Sequence, residues 1–106
     1  MYTCLPTPSV VIELDILEKN IRTMIENASK YGLAHRPHVK SHRSSELAKL
    51  QLTYGAKGIT CAKLGEAEVM AANGINDILI AYPMIGADKL ERYSELAKKC
   101  TLRSIV

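Results

Sequence analysis

The chain has 106 residues, 47% of them hydrophobic and 24% charged, with a formal net charge of +3 at neutral pH. That balance excludes a disordered tail, and the length allows either one small domain or part of a larger one. The 14 Lys and Arg residues are interleaved with 11 acids, so no nucleic-acid partner is expected. No long apolar run or signal-peptide pattern is present, and no membrane association is expected. Cys4, Cys61 and Cys100 are odd in number and widely spaced. They suit a reduced, cytoplasmic chain better than a disulfide framework, and no C-x-x-C pair offers a metal site.

In chain order, Met1 to Pro8 reads as an irregular lead-in, because Pro6 and Pro8 oppose helix. Ser9-Val10-Val11-Ile12-Glu13-Leu14 is β-branched and reads as a strand. Asp15 is placed as the N-cap of a helix, with Glu18 completing a capping box. Leu17, Ile21, Met24, Ile25 and Ala28 then recur on one helical face, and Gly32 stands where a left-handed residue would stop it. Arg36 to Lys40 follows as a second strand, with Arg36, His38 and Lys40 on one face and Pro37 and Val39 on the other. Ser44 is placed to cap a helix carrying Leu47, Leu50 and Tyr54 on one side, ended by Gly55. Ile59-Thr60-Cys61-Ala62 is a third strand. Leu64 to Asn73 is a helix rich in alanine and glutamate, stopped by Gly74. Asp77 to Tyr82 is the nearly continuous apolar run of a parallel strand covered on both faces. Ala87 to Cys100 forms a fourth helix, with Leu90, Tyr93, Ala97 and Cys100 on one face, and Leu102 to Val106 begin another strand.

The rhythm of strand, helix and glycine predicts βαβ units around a parallel sheet. An open doubly wound sheet and the opening of a (β/α)8 barrel both satisfy it. A barrel needs about 250 residues, and the chain stops inside a strand. The expectation is therefore an N-terminal piece of a longer protein.

The chemistry centres on Arg36-Pro37-His38-Val39-Lys40-Ser41-His42. No Gly-x-Gly-x-x-Gly or P-loop signature follows any strand, so nucleotide binding has no motif behind it. In parallel α/β folds, sites gather at the carboxyl ends of strands, where Lys40, Lys63 and Tyr82 stand. A partly desolvated lysine among cationic or imidazole neighbours has its charged form disfavoured, which makes it nucleophilic and able to form a Schiff base. Arg36, His38 and His42 are the candidates for that setting; the alternative is a lysine that simply reaches solvent. His38 and His42 would suit a metal if they lay on a helix, but Pro37 and the strand reading argue against it, leaving them as polar lining. His35 is expected to be exposed and Cys61 to be a small buried hydrophobe. Glu66 and Glu68 stand in a first helical turn, where the dipole favours acids. The ring of Tyr82 could cover a planar cofactor or merely close a strand.

Four segments in order carry a resemblance: Thr7-Pro8 leading into Val10 to Asp15, Arg36 to His42, Lys63 to Glu68, and Gly74 to Pro83. Together they resemble the N-terminal part of the D-threonine aldolase and D-serine dehydratase group, pyridoxal-phosphate enzymes with the alanine racemase-like fold. The Arg-Pro-His-x-Lys-x-His string is the specific part. A plain alanine racemase differs around its lysine, with a tyrosine where this chain has Ser44, so racemisation is not expected. The resemblance implies a partial (β/α)8 TIM barrel over residues 15–106. It leaves residues 1–14 as a lead-in and a strand that could pair with a second, β-rich domain. Lys40 falls on the lysine that holds pyridoxal 5'-phosphate as a Schiff base, and His38, His42 and Tyr82 are carried as cofactor-lining candidates. A divalent metal, zinc or manganese, is implied outside this chain, as is a homodimer. The implied reaction is cleavage of a β-hydroxy D-amino acid, D-threonine to glycine and acetaldehyde. D-serine deamination to pyruvate and ammonia is the alternative within the group. A non-catalytic pyridoxal-phosphate-binding protein is the alternative outside it.

Overall fold

The computed structural model describes residues 4–106; the first three residues of the expected lead-in lie outside the described residues. The chain runs through α1 (Leu14–Lys30), a 3-10 turn (Val39–Ser41), α2 (Ser45–Thr53), β1 (Ile59–Cys61), α3 (Leu64–Ala72), β2 (Asp77–Ile80), α4 (Ala87–Ala97) and β3 (Thr101–Ser104). Gly32, Gly55 and Gly74 take positive φ just after the first three helices, the left-handed stop that a Cβ would penalise. Ser44 caps α2 as expected, its Oγ accepting the N–H of Leu47 at 3.2 Å.

The three strands form a parallel sheet in the order β1-β2-β3. Ile59, Thr60 and Cys61 face Ile78, Leu79 and Ile80 in register, and Ile78, Leu79 and Ile80 face Leu102, Arg103 and Ser104. Side chains alternate across a strand, so Ile59, Cys61, Ile78, Ile80 and Leu102 share the face that packs with Leu64, Ala67 and Met70 of α3 and Leu96 of α4. Thr60, Leu79 and Arg103 line the opposite face. The layers extend over 50 × 40 × 20 Å, a thin slab in keeping with a partial barrel.

Several expectations need correction. Ser9–Glu13 makes no strand among the described residues; with no neighbour to pair with there, Val10 is left 96% exposed. Leu14, expected at the end of that strand, is instead the first residue of α1, and Glu13 rather than Asp15 occupies its N-cap, its side chain making no capping bond to the helix. The segment Arg36–Lys40 is not a full strand. It makes one parallel bridge, His38 with Thr60, and then winds into the 3-10 turn, so Arg36 and Lys40 do not share a face. Leu96 is the buried residue of α4, while Leu90 is half exposed. On β2, Ile78 and Ile80 are fully buried but Asp77 and Leu79 only half so, because the described helices pack on one face. His35 is half-buried rather than exposed.

Arg36 turns to the amino end of the sheet. Its Nη1 donates to Asp77 Oδ1 at 2.8 Å, and Arg103 Nη1 donates to the same oxygen at 2.5 Å. Gly58 makes room for this: a Cβ there would stand 2.5 Å from the Asp77 carbonyl oxygen and overlap the Arg36 guanidinium. The Arg36 hydrogen bond, against partial burial and seconded by Arg103, holds the Asp77 carboxyl below its ordinary pKa. A depressed folded-state value means stability that is present above the unfolded pKa and lost as pH falls through the folded one. Asp77→Asn is therefore expected to cost about 2 kcal/mol at pH 7 and to flatten the decline of stability below about pH 4, as measured by chemical denaturation across pH. Gly58→Ala should cost about 1–3 kcal/mol from overpacking, with a further loss at neutral pH because its Cβ would push the Arg36 guanidinium off Asp77.

Candidate active site

The Lys40 segment is built by the sheet edge. Pro37 has no N–H to donate, which suits a chain at the margin of a ladder. Its carbonyl accepts from Thr60 N at 2.7 Å, and Thr60 Oγ1 donates to Arg36 O at 3.3 Å. Val39 is fully buried in the core, which anchors the chain just as it leaves β1. The next residues close a single turn: Arg43 N donates to Val39 O at 2.8 Å, with Arg43 at φ 50. Lys40 lies on this turn, exposed, and no described residue is bonded to its amine. The turn stands at the carboxyl end of the strands, as expected.

Both histidines hold this turn through ring bonds to backbone N–H groups two residues on. His38 is its N-cap, Nδ1 accepting from Lys40 N at 3.3 Å. His42 Nδ1 accepts from Ser44 N at 3.0 Å. An Nδ1 that accepts leaves the proton of the neutral ring on Nε2. In His42 that Nε2 is buried and has no hydrogen-bond partner among the described residues. No group of three His, Cys, Asp or Glu side chains able to hold a metal occurs among the described residues.

Lys40, His38 and His42 are brought into one turn, whereas Arg36 is not. Tyr82 and Lys63 line a separate cleft of about 510 Å³ at the ends of β1 and β2, with Ala62, Met84, Lys89 and Arg92. Tyr82 is exposed, and Lys89 Nζ stands 5.6 Å from its ring centroid. Cys61 is fully buried; desolvation first, and the Glu66 charge second, push its thiol up to about 12.

Glu66, expected as a dipole-favoured acid of a first helical turn, is only 8% exposed. Its Oε2 accepts the N–H of Ala62 at 2.7 Å, and its Oε1 lies 3.4 Å from Arg43 Nε. The signal was in its position, the third residue of α3, from which a glutamate reaches back to the chain before the helix. Glu68, by contrast, pairs with Arg92 on the surface at 2.9 and 2.5 Å.

The family described as alanine racemase, N-terminal domain, matches residues 12–105. The chain belongs to that family. Among curated relatives of this alanine racemase N-terminal domain is the 3-hydroxy-D-aspartate aldolase of Paracoccus denitrificans, 40% identical over 93 residues. The match takes in 87% of this chain and 24% of that protein, so the chain spans about a quarter of that relative's length. The crystal structure of D-threonine aldolase from Filomicrobium marinum aligns with TM-score 0.92 and 38% identity, over 95% of this chain and 27% of that one. The D-threo-3-hydroxyaspartate dehydratase from Delftia sp. HT23 aligns with TM-score 0.91 and 39% identity, over 97% of this chain and 27% of that one; a point mutant of a D-threo-3-hydroxyaspartate dehydratase solved in the metal-free form aligns with TM-score 0.90. These relatives are lyases acting on small β-hydroxy D-amino acids.

One observation bears on the pyridoxal-phosphate expectation: a lysine amine with no bonded partner among the described residues, on a turn anchored by buried Val39, beside a histidine whose buried Nε2 lacks an acceptor. Those residues fit the lysine side of such a site. A thiol with a pKa of about 12 stays protonated at pH 8 and does not react. Alkylation of the native protein at pH 8 should therefore label exposed Cys4 and spare Cys61, as read by peptide mass spectrometry.

Proposed function

We propose that this chain supplies the lysine-bearing part of a pyridoxal-phosphate-dependent lyase acting on a β-hydroxy D-amino acid, with D-threonine cleaved to glycine and acetaldehyde. The observation that carries the reading is the free Lys40 amine on a core-anchored turn at the carboxyl end of an alanine racemase N-terminal sheet. Bound to Lys40, the cofactor supplies an electron sink for charge left on the substrate's Cα. Lys40 would hold the cofactor covalently and, once displaced by the substrate amine, carry a proton at that carbon. His38 would line the cofactor through Nε2, whereas His42, whose Nε2 is buried, would support the turn from behind, and Tyr82 would offer a ring face from the cleft at the ends of β1 and β2. The substrate-selecting residues and a zinc or manganese ion belong to parts of the protein outside this chain, as does the remainder of a homodimer's site.

A second reading keeps the site and changes the bond that breaks. Loss of the α-proton and the β-hydroxyl, in place of Cα–Cβ cleavage, would convert D-serine to pyruvate and ammonia. The near-equal likeness to an aldolase and a dehydratase favours keeping it. The three free cysteines suit a reducing cytoplasm, and no described helix is long and apolar enough to cross a membrane.

Borohydride treatment of the full-length protein loaded with pyridoxal phosphate should fix the label on the peptide containing Lys40. Label on another lysine would sink the proposal. Lys40→Ala should lower turnover by about 10³-fold or more. Assays of aldehyde, keto acid and ammonia from D-threonine, D-serine and 3-hydroxy-D-aspartate separate the two lyase reactions. Label on Lys40 without any product would instead indicate a cofactor-binding protein with no lyase activity.

A further inference from the structure

Glu66 is the one charged side chain buried among the described residues, and an ionised carboxylate is costly to bury unless it is paired. Its Oε2 is satisfied by the N–H of Ala62, the residue that follows β1. Its Oε1 is buried, accepts no hydrogen bond among the described residues and faces Arg43 Nε at 3.4 Å. Arg43 is in turn the only described residue other than glycine with positive φ, a conformation that costs of order 1 kcal/mol. Glycine or asparagine would take that backbone at less cost. Its N–H closes the Lys40 turn onto Val39 O. Glu66 thus joins the carboxyl end of β1 to the residue that closes the turn bearing Lys40, two places linked by no other charged pair among the described residues.

We propose that Glu66 is a positioning residue for Lys40, acting through Arg43 to hold the Lys40 turn against the end of β1. The inference rests on the reading of Lys40 as the cofactor lysine. Helix capping alone accounts for Oε2 on Ala62. It does not account for a second oxygen buried towards Arg43, nor for an arginine where the backbone favours glycine. A carboxylate anchored in the core draws in a guanidinium that is otherwise 70% exposed, and that attraction favours the left-handed residue three positions from Lys40. The lysine then approaches its electrophile from one direction instead of sampling several.

Two variants of the full-length protein test this. Glu66→Gln keeps an acceptor for Ala62 and removes the charge facing Arg43. Arg43→Gly removes the guanidinium and relieves the strained backbone. Both should capture added pyridoxal phosphate about tenfold more slowly in the apoprotein, followed by the absorbance of lysine-bound cofactor, and should lose kcat by a similar factor with KM little changed. Arg43→Gly should do so with a near-wild-type melting temperature, which a merely structural role would not produce. The double variant should be no worse than either single one, since the two residues act as a unit. Wild-type capture and kcat in Arg43→Gly would overturn the inference, as would additive losses in the double variant. Wild-type protein that forms no lysine-bound cofactor would instead overturn the reading of Lys40, and this inference with it.

Discussion

The Lys40 site depends on how one short segment meets the edge of β1. Thr60 donates to Pro37 O at 2.7 Å, His38 bridges Thr60, and Val39 inserts into the core with no exposed surface. That junction is only one bridge long, yet it sets where the chain departs from the sheet and so where Lys40 stands. Deep burial of Val39 compensates for the short ladder, because a filled core position resists displacement more than an exposed strand end does.

The two ends of the sheet divide the charge between them. At the amino end, Asp77 collects Arg36 and Arg103, and Gly58 leaves space for the guanidinium. At the carboxyl end, Lys40 has no counter-ion among the described residues, while Glu66 is occupied by Ala62 and Arg43. Arg36, four residues before Lys40, therefore serves the opposite end of the molecule. Between the ends lies a dry layer of Ile59, Ile78 and Ile80, whose substitution by smaller residues typically costs 2–5 kcal/mol per large side chain removed. Charges stabilise the margins, and the aliphatic layer holds them apart.

Much of the fold was legible because its signals are local. Gly32, Gly55 and Gly74 punctuate the helices by backbone preference alone, and Ser44 caps α2 through a bond three residues long. The strand at Ile59 declares itself by its β-branched Ile59 and Thr60, and the one at Asp77 by a nearly continuous apolar run. The misreadings share a different cause. Ser9–Leu14 looks like a strand by composition, but a strand exists only with a partner, and none of the described residues pairs with it. Periodicity favours Leu90 where the structure buries Leu96, because it leaves the facing direction of α4 open by a residue or two until packing settles it.

The same division runs through the candidate site. The sequence by itself determined that Lys40 sits in an Arg-Pro-His-x-Lys-x-His string at the end of an extended segment, since residue identity and spacing are read directly from the chain. Only the tertiary structure decided which neighbours Lys40 keeps. It sent Arg36 to Asp77, turned His38 and His42 back onto their own backbone, and buried Glu66 against Arg43. The histidine bonds reach only two residues along the chain, but the other two outcomes depend on contacts between residues 23 and 41 positions apart, Arg43 with Glu66 and Arg36 with Asp77. No local pattern encodes such contacts, because they exist only once the parallel strands have come into register.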